Sequence, residues 1–148
     1  MEIYFDMDGT LVNLYGVKNW LNSLVGYSAK PFVIAKPLVN MSRLARVLHK
    51  LQAKGHKIGI ISWTPPTEFE FYENQVTFEK IKWLKAHLPS VDFDEIHILP
   101  YKSEKNKYAN AEAILFDDEI ANREKWNTIG KAYDEKQIFE ILEELLND

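Results

Sequence analysis

The sequence contains no cysteine among its 148 residues. Without cysteine, neither a disulfide framework nor a thiolate zinc site can form. No run of about 18 apolar residues occurs either, which argues against a membrane-spanning helix. Because no basic and apolar signal segment is found, we expect a cytoplasmic protein that has no membrane partner.

Acidic residues are absent from one long part of the chain, between Gly9 and Thr67. Eight lysines and arginines occur there, whereas residues 1–8 carry three acids and residues 68–148 carry nineteen acids and ten bases. Local charges of −3, +8 and −9 thus underlie the net charge of −4. This pattern predicts either a solvated basic face on helices or a positive rim beside an anionic ligand.

The chain does contain a regular alternation of short apolar strands and amphipathic helices. Strands are predicted at residues 3–5, 57–62, 95–99, 113–116 and 131–133, and helices at residues 13–26, 42–54, 69–87, 121–126 and 137–146. Pro31 and Pro37 predict a linker between the first two helices. Strands separated by helices are typical of a parallel sheet covered on both faces. The sequence therefore predicts one α/β domain over residues 1–148, with a three-layer α/β/α, Rossmann-like sheet.

Polar residues follow three of these strands at their carboxyl ends. The first strand is followed by Asp6-Met7-Asp8-Gly9-Thr10, the second ends in Ser62, and the fourth ends in Asp117-Asp118. Lys102, Lys105 and Lys107 lie shortly before the fourth strand. In a parallel sheet these strand ends meet at one edge, where ligands bind. Paired carboxylates are suitable ligands for a hard cation such as Mg²⁺, and without cations their mutual repulsion would be costly.

In this order, the residues resemble the four motifs of the haloacid dehalogenase (HAD) superfamily of phosphatases. Residues 5–12 resemble the first motif, residues 60–62 the second and residues 115–118 the fourth. Lys105 is the choice for the third motif, because residues 100–105 resemble a segment of small phage and bacterial relatives. Lys107 is the alternative, because its spacing to Asp117 suits 5′(3′)-deoxyribonucleotidase-type members. Residues 79–89 also resemble a helix of the 5′(3′)-deoxyribonucleotidase-type members.

The resemblance implies a Mg²⁺-dependent phosphomonoester hydrolase with a covalent aspartyl-phosphate intermediate. Asp6 would be the nucleophile and Asp8 the general acid and base. The phosphoryl oxygens would be held by Ser62, Lys105 and the backbone N–H of Trp63. The ligands of Mg²⁺ would be Asp6, the backbone carbonyl of Asp8, Asp117 and Asp118.

The segment that could form a substrate-selecting cap domain is short. Between the first motif and the helix starting near residue 42 there is room for one helix and a loop. We therefore expect a minimal or absent cap, with a small lid at residues 13–36. The helical spacing of Trp20 favours a core position, while Trp63 is equally suited to stacking on a nucleobase and to packing against the sheet.

The resemblance suggests a small phosphorylated substrate, such as a nucleoside monophosphate. A phosphatase acting on oligonucleotide ends is one alternative, because a basic segment beside an open site suits such a substrate. A catalytically silent HAD-fold binding protein is another alternative. A receiver-type signalling domain is disfavoured, because there the adjacent acid pair would come early and a single aspartate would end a central strand.

Overall fold

The computed structural model describes residues 1–148 and contains one five-stranded sheet. The strands are β1 (Glu2–Phe5), β2 (Lys57–Trp63), β3 (Glu95–Leu99), β4 (Ala113–Phe116) and β5 (Lys131–Tyr133). They are all parallel and lie in the order β3-β2-β1-β4-β5. The predicted parallel α/β sheet is confirmed, and all five predicted strands are present.

Six α-helices accompany the sheet. They are α1 (Trp20–Val25), α2 (Lys30–Ile34), α3 (Met41–Ala53), α4 (Glu70–His87), α5 (Ile120–Asn127) and α6 (Ile138–Leu146). Three short 3₁₀ turns cover Leu14–Gly16, Lys105–Tyr108 and Glu135–Gln137. No helix combines the length and the apolar character that crossing a membrane requires.

The hydrophobic core has one part on each face of the sheet, because side chains alternate along each strand. On one face, Ile3 and Phe5 of β1 belong to a cluster of 21 buried residues that includes side chains of α3, α4 and α6. On the other face, Tyr4 and Leu115 pack with Trp126 of α5. This arrangement is a three-layer α/β/α fold.

The segment before α3 differs from its prediction. The predicted helix at residues 13–26 is interrupted: Val17 is extended and Asn19 is left-handed, with φ of 59°. The Asn13 side chain accepts a hydrogen bond from the N–H of Gly16, and such local bonds compete with a continuous helix. The predicted linker at residues 31–37 overlaps α2, whose first turn includes Pro31. Proline is tolerated there because no intrahelical N–H bond is lost.

The register of the sheet brings three strand ends side by side. Phe5 at the end of β1 is paired with Ile60 of β2 on one side and with Phe116 of β4 on the other. β1 lies in the middle of the sheet. The chain adds β2 and β3 on one side of β1 and then β4 and β5 on the other side. Ligands of open α/β sheets bind at such a reversal of strand order. A ligand site is therefore expected beyond the carboxyl ends of β1, β2 and β4.

Candidate active site

The chain turns sharply after β1 and brings Asp6 and Asp8 to the edge of the sheet. The backbone N–H of Asp6 still donates to the carbonyl of Phe116, at 2.9 Å. Gly9 then adopts a φ of +83°, which residues with a Cβ atom rarely adopt. A Cβ atom at Gly9 would also lie 2.2 Å from Oδ2 of Asp118. Glycine at this position thus allows both the turn and the close approach of Asp118.

Three carboxylates form a compact cluster at this edge. Asp6, Asp117 and Asp118 each offer an oxygen atom, and these atoms lie within 4.8 Å of one another. Burial and the charge of Asp6 raise the pKa of Asp117 to about 6 and that of Asp118 to about 8. Oxygen ligands at this spacing fit a hard divalent cation such as Mg²⁺.

Lys105 bridges two members of this cluster. Its Nζ atom lies 2.9 Å from Oδ1 of Asp6 and 2.8 Å from Oδ2 of Asp117, and the residue is buried. Burial opposes the charge of Lys105, but the two carboxylates outweigh it and raise the pKa of the amine. Lys107 is exposed, and its Nζ atom lies 5.3 Å from the centroid of the Tyr108 ring. Of the two candidate lysines, the structure thus brings Lys105 into the site.

Asp8 lies apart from the three clustered carboxylates and pairs with Lys80 instead. The Nζ atom of Lys80 is 2.7 Å from Oδ2 of Asp8, from Oγ of Ser62 and from the carbonyl oxygen of Trp63. Burial raises the pKa of Asp8, while the positive charge of Lys80 acts in the opposite direction. Asp8 therefore retains more proton affinity than a solvated carboxylate, as a general acid requires.

Lys80 and Asn122 are parts of the site that the sequence analysis missed. Lys80 occupies the buried stripe of α4 that also includes Tyr72, Val76 and Leu84. A lysine on an otherwise apolar helical stripe is a detectable signal, since a buried ammonium needs a partner. Asn122 donates to Oδ2 of Asp117 at 3.1 Å. No sequence pattern distinguishes it from other polar residues of α5.

A cleft of about 260 Å³ opens above these residues. Asp6, Asp8 and Lys105 belong to its lining, together with residues of the segment 13–36 and of the loop after β2. The other lining residues include Leu14, Tyr15, Trp20, Leu21, Leu24, Phe32, Trp63, Thr64, Pro65, Pro66 and Tyr101. Acidic and basic groups thus lie beside a largely apolar and aromatic wall.

Two tryptophans contribute to this wall. The core position predicted for Trp20 is wrong: the residue is half-buried, lines the cleft and lies edge-on to Tyr15, with 4.9 Å between ring centroids. Its helix α1 has only six residues, and none of them is buried. Trp63 also lines the cleft, and its indole N–H donates to the carbonyl of Ser103 at 2.9 Å. That bond fixes the indole ring at the border of the cleft.

No family model and no curated protein matches this sequence. The fold is similar to the crystal structure of D,D-heptose 1,7-bisphosphate phosphatase from Burkholderia thailandensis, with a TM-score of 0.52 and 9% sequence identity. The similarity covers 88% of this chain and 74% of that chain. At such low identity the likeness concerns the fold. The three-layer, Rossmann-like α/β/α fold predicted from the alternation of strands and helices is thereby confirmed.

Proposed function

We propose that this chain is a Mg²⁺-dependent phosphomonoester hydrolase of the HAD superfamily, acting through an aspartyl phosphate on Asp6. One observation carries the proposal: Asp6 is held by Lys105 while Asp117 and Asp118 offer oxygen atoms within 4.8 Å of its carboxylate. A nucleophile, a phosphate-binding cation and a set of metal ligands are thus combined at one strand end. The likeness in fold to a protein named as a bisphosphate phosphatase supports the same class of reaction.

The first step would transfer the phosphoryl group to Asp6. A carboxylate oxygen of Asp6 attacks phosphorus, and the bond between phosphorus and the ester oxygen breaks. Asp8 donates its proton to the departing oxygen, so that an alcohol leaves rather than an alkoxide. Lys105 and the hydroxyl group of Ser62 donate hydrogen bonds to the non-bridging phosphoryl oxygens.

The second step would release phosphate. Asp8, now without its proton, accepts a proton from a water molecule whose oxygen attacks phosphorus. The bond between phosphorus and the Asp6 oxygen breaks, which restores the Asp6 carboxylate and frees inorganic phosphate. Two carboxylates are needed because one must face phosphorus in its ionised form while the other exchanges a proton.

Asp6, Asp117 and Asp118, with the backbone carbonyl of Asp8, would hold the Mg²⁺ ion. When bound, the ion would offset the charge of the carboxylates and of the phosphate group. Within the chain itself, the carboxylate of Asp117 is oriented by hydrogen bonds from Lys105, from Asn122 and from the backbone N–H of Glu119. These bonds keep an Asp117 oxygen near Asp6.

A nucleoside monophosphate is the substrate that the cleft wall favours. Tyr15, Trp20 and Trp63 offer aromatic surface beside the charged end of the cleft. Stacking of a base on aromatic side chains contributes about 1–3 kcal/mol and tolerates every base. A Mg²⁺-supported screen of nucleotides, sugar phosphates and 5′- or 3′-phosphorylated oligonucleotides tests this choice. Turnover confined to sugar phosphates would contradict it, and turnover of oligonucleotide ends alone would favour the nucleic-acid alternative.

The proposed nucleophile is tested by Asp6→Asn. We expect this variant to lose hydrolysis of a generic aryl phosphate while its circular dichroism spectrum stays that of the wild type. The exposed Asp92 provides a matched control, and Asp92→Asn is expected to retain full turnover. Wild-type turnover in Asp6→Asn would remove Asp6 as the nucleophile.

The proposed metal site is tested by activity and by binding. EDTA is expected to stop turnover and added Mg²⁺ to restore it. Because a ligand that binds only the folded state stabilises that state, Mg²⁺ should raise the Tm of the wild type. The same addition should leave the Tm of Asp117→Asn unchanged. Full activity after chelation would contradict the metal assignment.

A further inference from the structure

We infer that Lys80 is a positioning residue that orients Asp8 and Ser62 toward the substrate. The inference rests on the proposed hydrolase function, because it assigns Lys80 a part in that reaction. It is carried by the contacts of the Lys80 ammonium group, which touches three site atoms from within α4.

The hydrogen-bond donors of Lys80 are all used inside the protein. An ammonium group has three N–H donors and no acceptor. Those of Lys80 are taken by Oδ2 of Asp8, Oγ of Ser62 and the carbonyl of Trp63, each at 2.7 Å. No donor is left for a phosphoryl oxygen. Lys105 differs, because it has two carboxylate partners and one donor to spare.

These bonds decide which atoms of Asp8 and Ser62 remain available. Oδ2 of Asp8 is occupied by Lys80, whereas Oδ1 is buried and has no hydrogen-bond partner. An unpaired buried oxygen is costly unless another group pairs with it during function. Lys80 also occupies an acceptor position of the Ser62 hydroxyl group, and the O–H of Ser62 stays free to donate. One oxygen of Asp8 and the hydroxyl proton of Ser62 thus have no partner within the protein.

The surroundings hold the Lys80 side chain in this single arrangement. Lys80 is only 1% exposed, and its Nζ atom lies 5.3 Å from the centroid of the Phe32 ring. Burying an ammonium group is costly and persists only with close partners. Since α4 is an 18-residue helix packed into the core through Trp83 and Leu84, the position of Lys80 is set by a rigid element.

The test compares two substrates that differ in their need for an acid. An alkyl phosphate has a poor leaving group and requires proton donation, whereas 2,4-dinitrophenyl phosphate does not. We define the acid ratio as kcat/KM for the alkyl phosphate divided by kcat/KM for the dinitrophenyl ester. General acid catalysis contributes about 10²–10⁴ in rate. We therefore expect Lys80→Met to lower the acid ratio by about 100-fold, and Lys82→Met, on the exposed side of the same helix, to leave it unchanged.

A double-mutant cycle shows whether Lys80 acts through Asp8. Asp8→Asn alone should lower the acid ratio strongly. If Lys80 works by orienting Asp8, adding Lys80→Met to Asp8→Asn should not lower the ratio further, because coupled residues are non-additive. Multiplicative losses in the double variant, or equal losses on both substrates in Lys80→Met, would overturn the inference.

A second variant at Lys80 and the activity of the wild type complete the test. Lys80→Met leaves Asp8 without its counter-charge, and if that variant does not fold, Lys80→Gln replaces it in the same comparison. An unchanged acid ratio in a folded Lys80→Gln variant would overturn the inference. A wild-type chain that hydrolyses neither ester would contradict the proposed function and the inference together, whereas an active wild type with an unaltered acid ratio in the variants would contradict the inference alone.

Discussion

Two buried ammonium groups divide the carboxylates of the site between them. Lys105 is paired with Asp6 and Asp117, and Lys80 is paired with Asp8. The proposed nucleophile Asp6 and the proposed acid–base residue Asp8 thus have separate counter-charges. Because attraction between charges is strong where water is excluded, each pair fixes the position of a carboxylate. Lys105 has one N–H donor without a carboxylate partner, which is why we propose it as the phosphate-binding lysine.

Substitution of Lys105 should therefore reduce the reaction rate. We expect Lys105→Met to lower kcat/KM by about 10²–10³, the loss typical of removing one donor that stabilises transition-state charge. Steady-state kinetics with an aryl phosphate would measure it. Lys107→Met is the matched control, because Lys107 is two residues away and exposed. The reverse ranking of the two variants would assign the role to Lys107.

At the scale of the elements, one glycine allows a side chain of β1 to reach across β2. The register pairs Tyr4 with Gly59, and Gly59 with Glu95 of β3. The Tyr4 hydroxyl donates to Oε2 of Glu95 at 2.9 Å, so its ring passes over Gly59. A Cβ atom at Gly59 would lie 2.7 Å from that ring. His97 also bonds Glu95, at 2.9 Å, and the network links β1 with β3 across β2.

Gly59→Ala should consequently destabilise the sheet. We expect a loss of about 1–3 kcal/mol in the free energy of unfolding, because the methyl group forces the Tyr4 ring out of place. Urea denaturation would measure the change. Gly26→Ala is the control: Gly26 has a negative φ, and its nearest atom to a built Cβ is at 3.3 Å. A Gly59→Ala variant as stable as the wild type would contradict the packing described for Tyr4.

At the scale of the whole molecule, the basic stretch between Gly9 and Thr67 contains two groups of charged residues. Part of the basic stretch is structural: Arg43 of α3 pairs with Glu143 of α6, and the Lys54 ammonium donates to the carbonyl of Leu146 at 2.9 Å. Lys18, Lys30 and Lys36 are exposed instead and do not line the cleft. These three lysines remain candidates for attracting an anionic substrate over a distance.

Such attraction should depend on ionic strength. Replacing Lys18, Lys30 and Lys36 by glutamine changes the net charge from −4 to −7. We expect kcat/KM at low salt to fall by about 3–10-fold, and its decrease with added salt to become shallower, because steering is screened by ions. Replacing the exposed Lys85, Lys131 and Lys136 by glutamine gives the same net charge of −7 away from the cleft and serves as the control. Equal losses in both triple variants would contradict a local steering role.

The strands and the residues that end them were predictable because each signal is local. A short run rich in apolar residues predicts a strand, and the residue that follows it is read directly from the chain. Asp6, Ser62 and Asp117 were found in this way, and the parallel sheet then brings them to one edge. Lys105 and Lys107 could not be separated from sequence, because the conformation of the 3₁₀ turn containing both decides which side chain points inward.

The segment at residues 13–36, for which a small lid is predicted, was less predictable for a different reason. Its apolar residues follow a helical spacing, yet Leu21 and Val25 are 57% and 71% exposed. The local bonds of Asn13 and the left-handed Asn19 interrupt the helix before the pattern can form one buried stripe. The spacing of apolar residues does not reveal where a side chain competes with the helix for backbone hydrogen bonds. Trp20 is accordingly found at the cleft rather than in the core.

By itself, the sequence determined the α/β class, the order of the strands along the chain and the acidic residues at their ends, since all of these depend on neighbouring residues. Tertiary structure alone decided which charges meet. Lys80 is 72 residues from Asp8 along the chain, and Lys105 is 99 residues from Asp6. The pairing of each lysine depends on how α4 and the turn after β3 pack against the sheet. Contacts between residues so far apart follow from that packing. The contact of Lys80 with Oδ2 of Asp8 leaves Oδ1 without a hydrogen-bond partner.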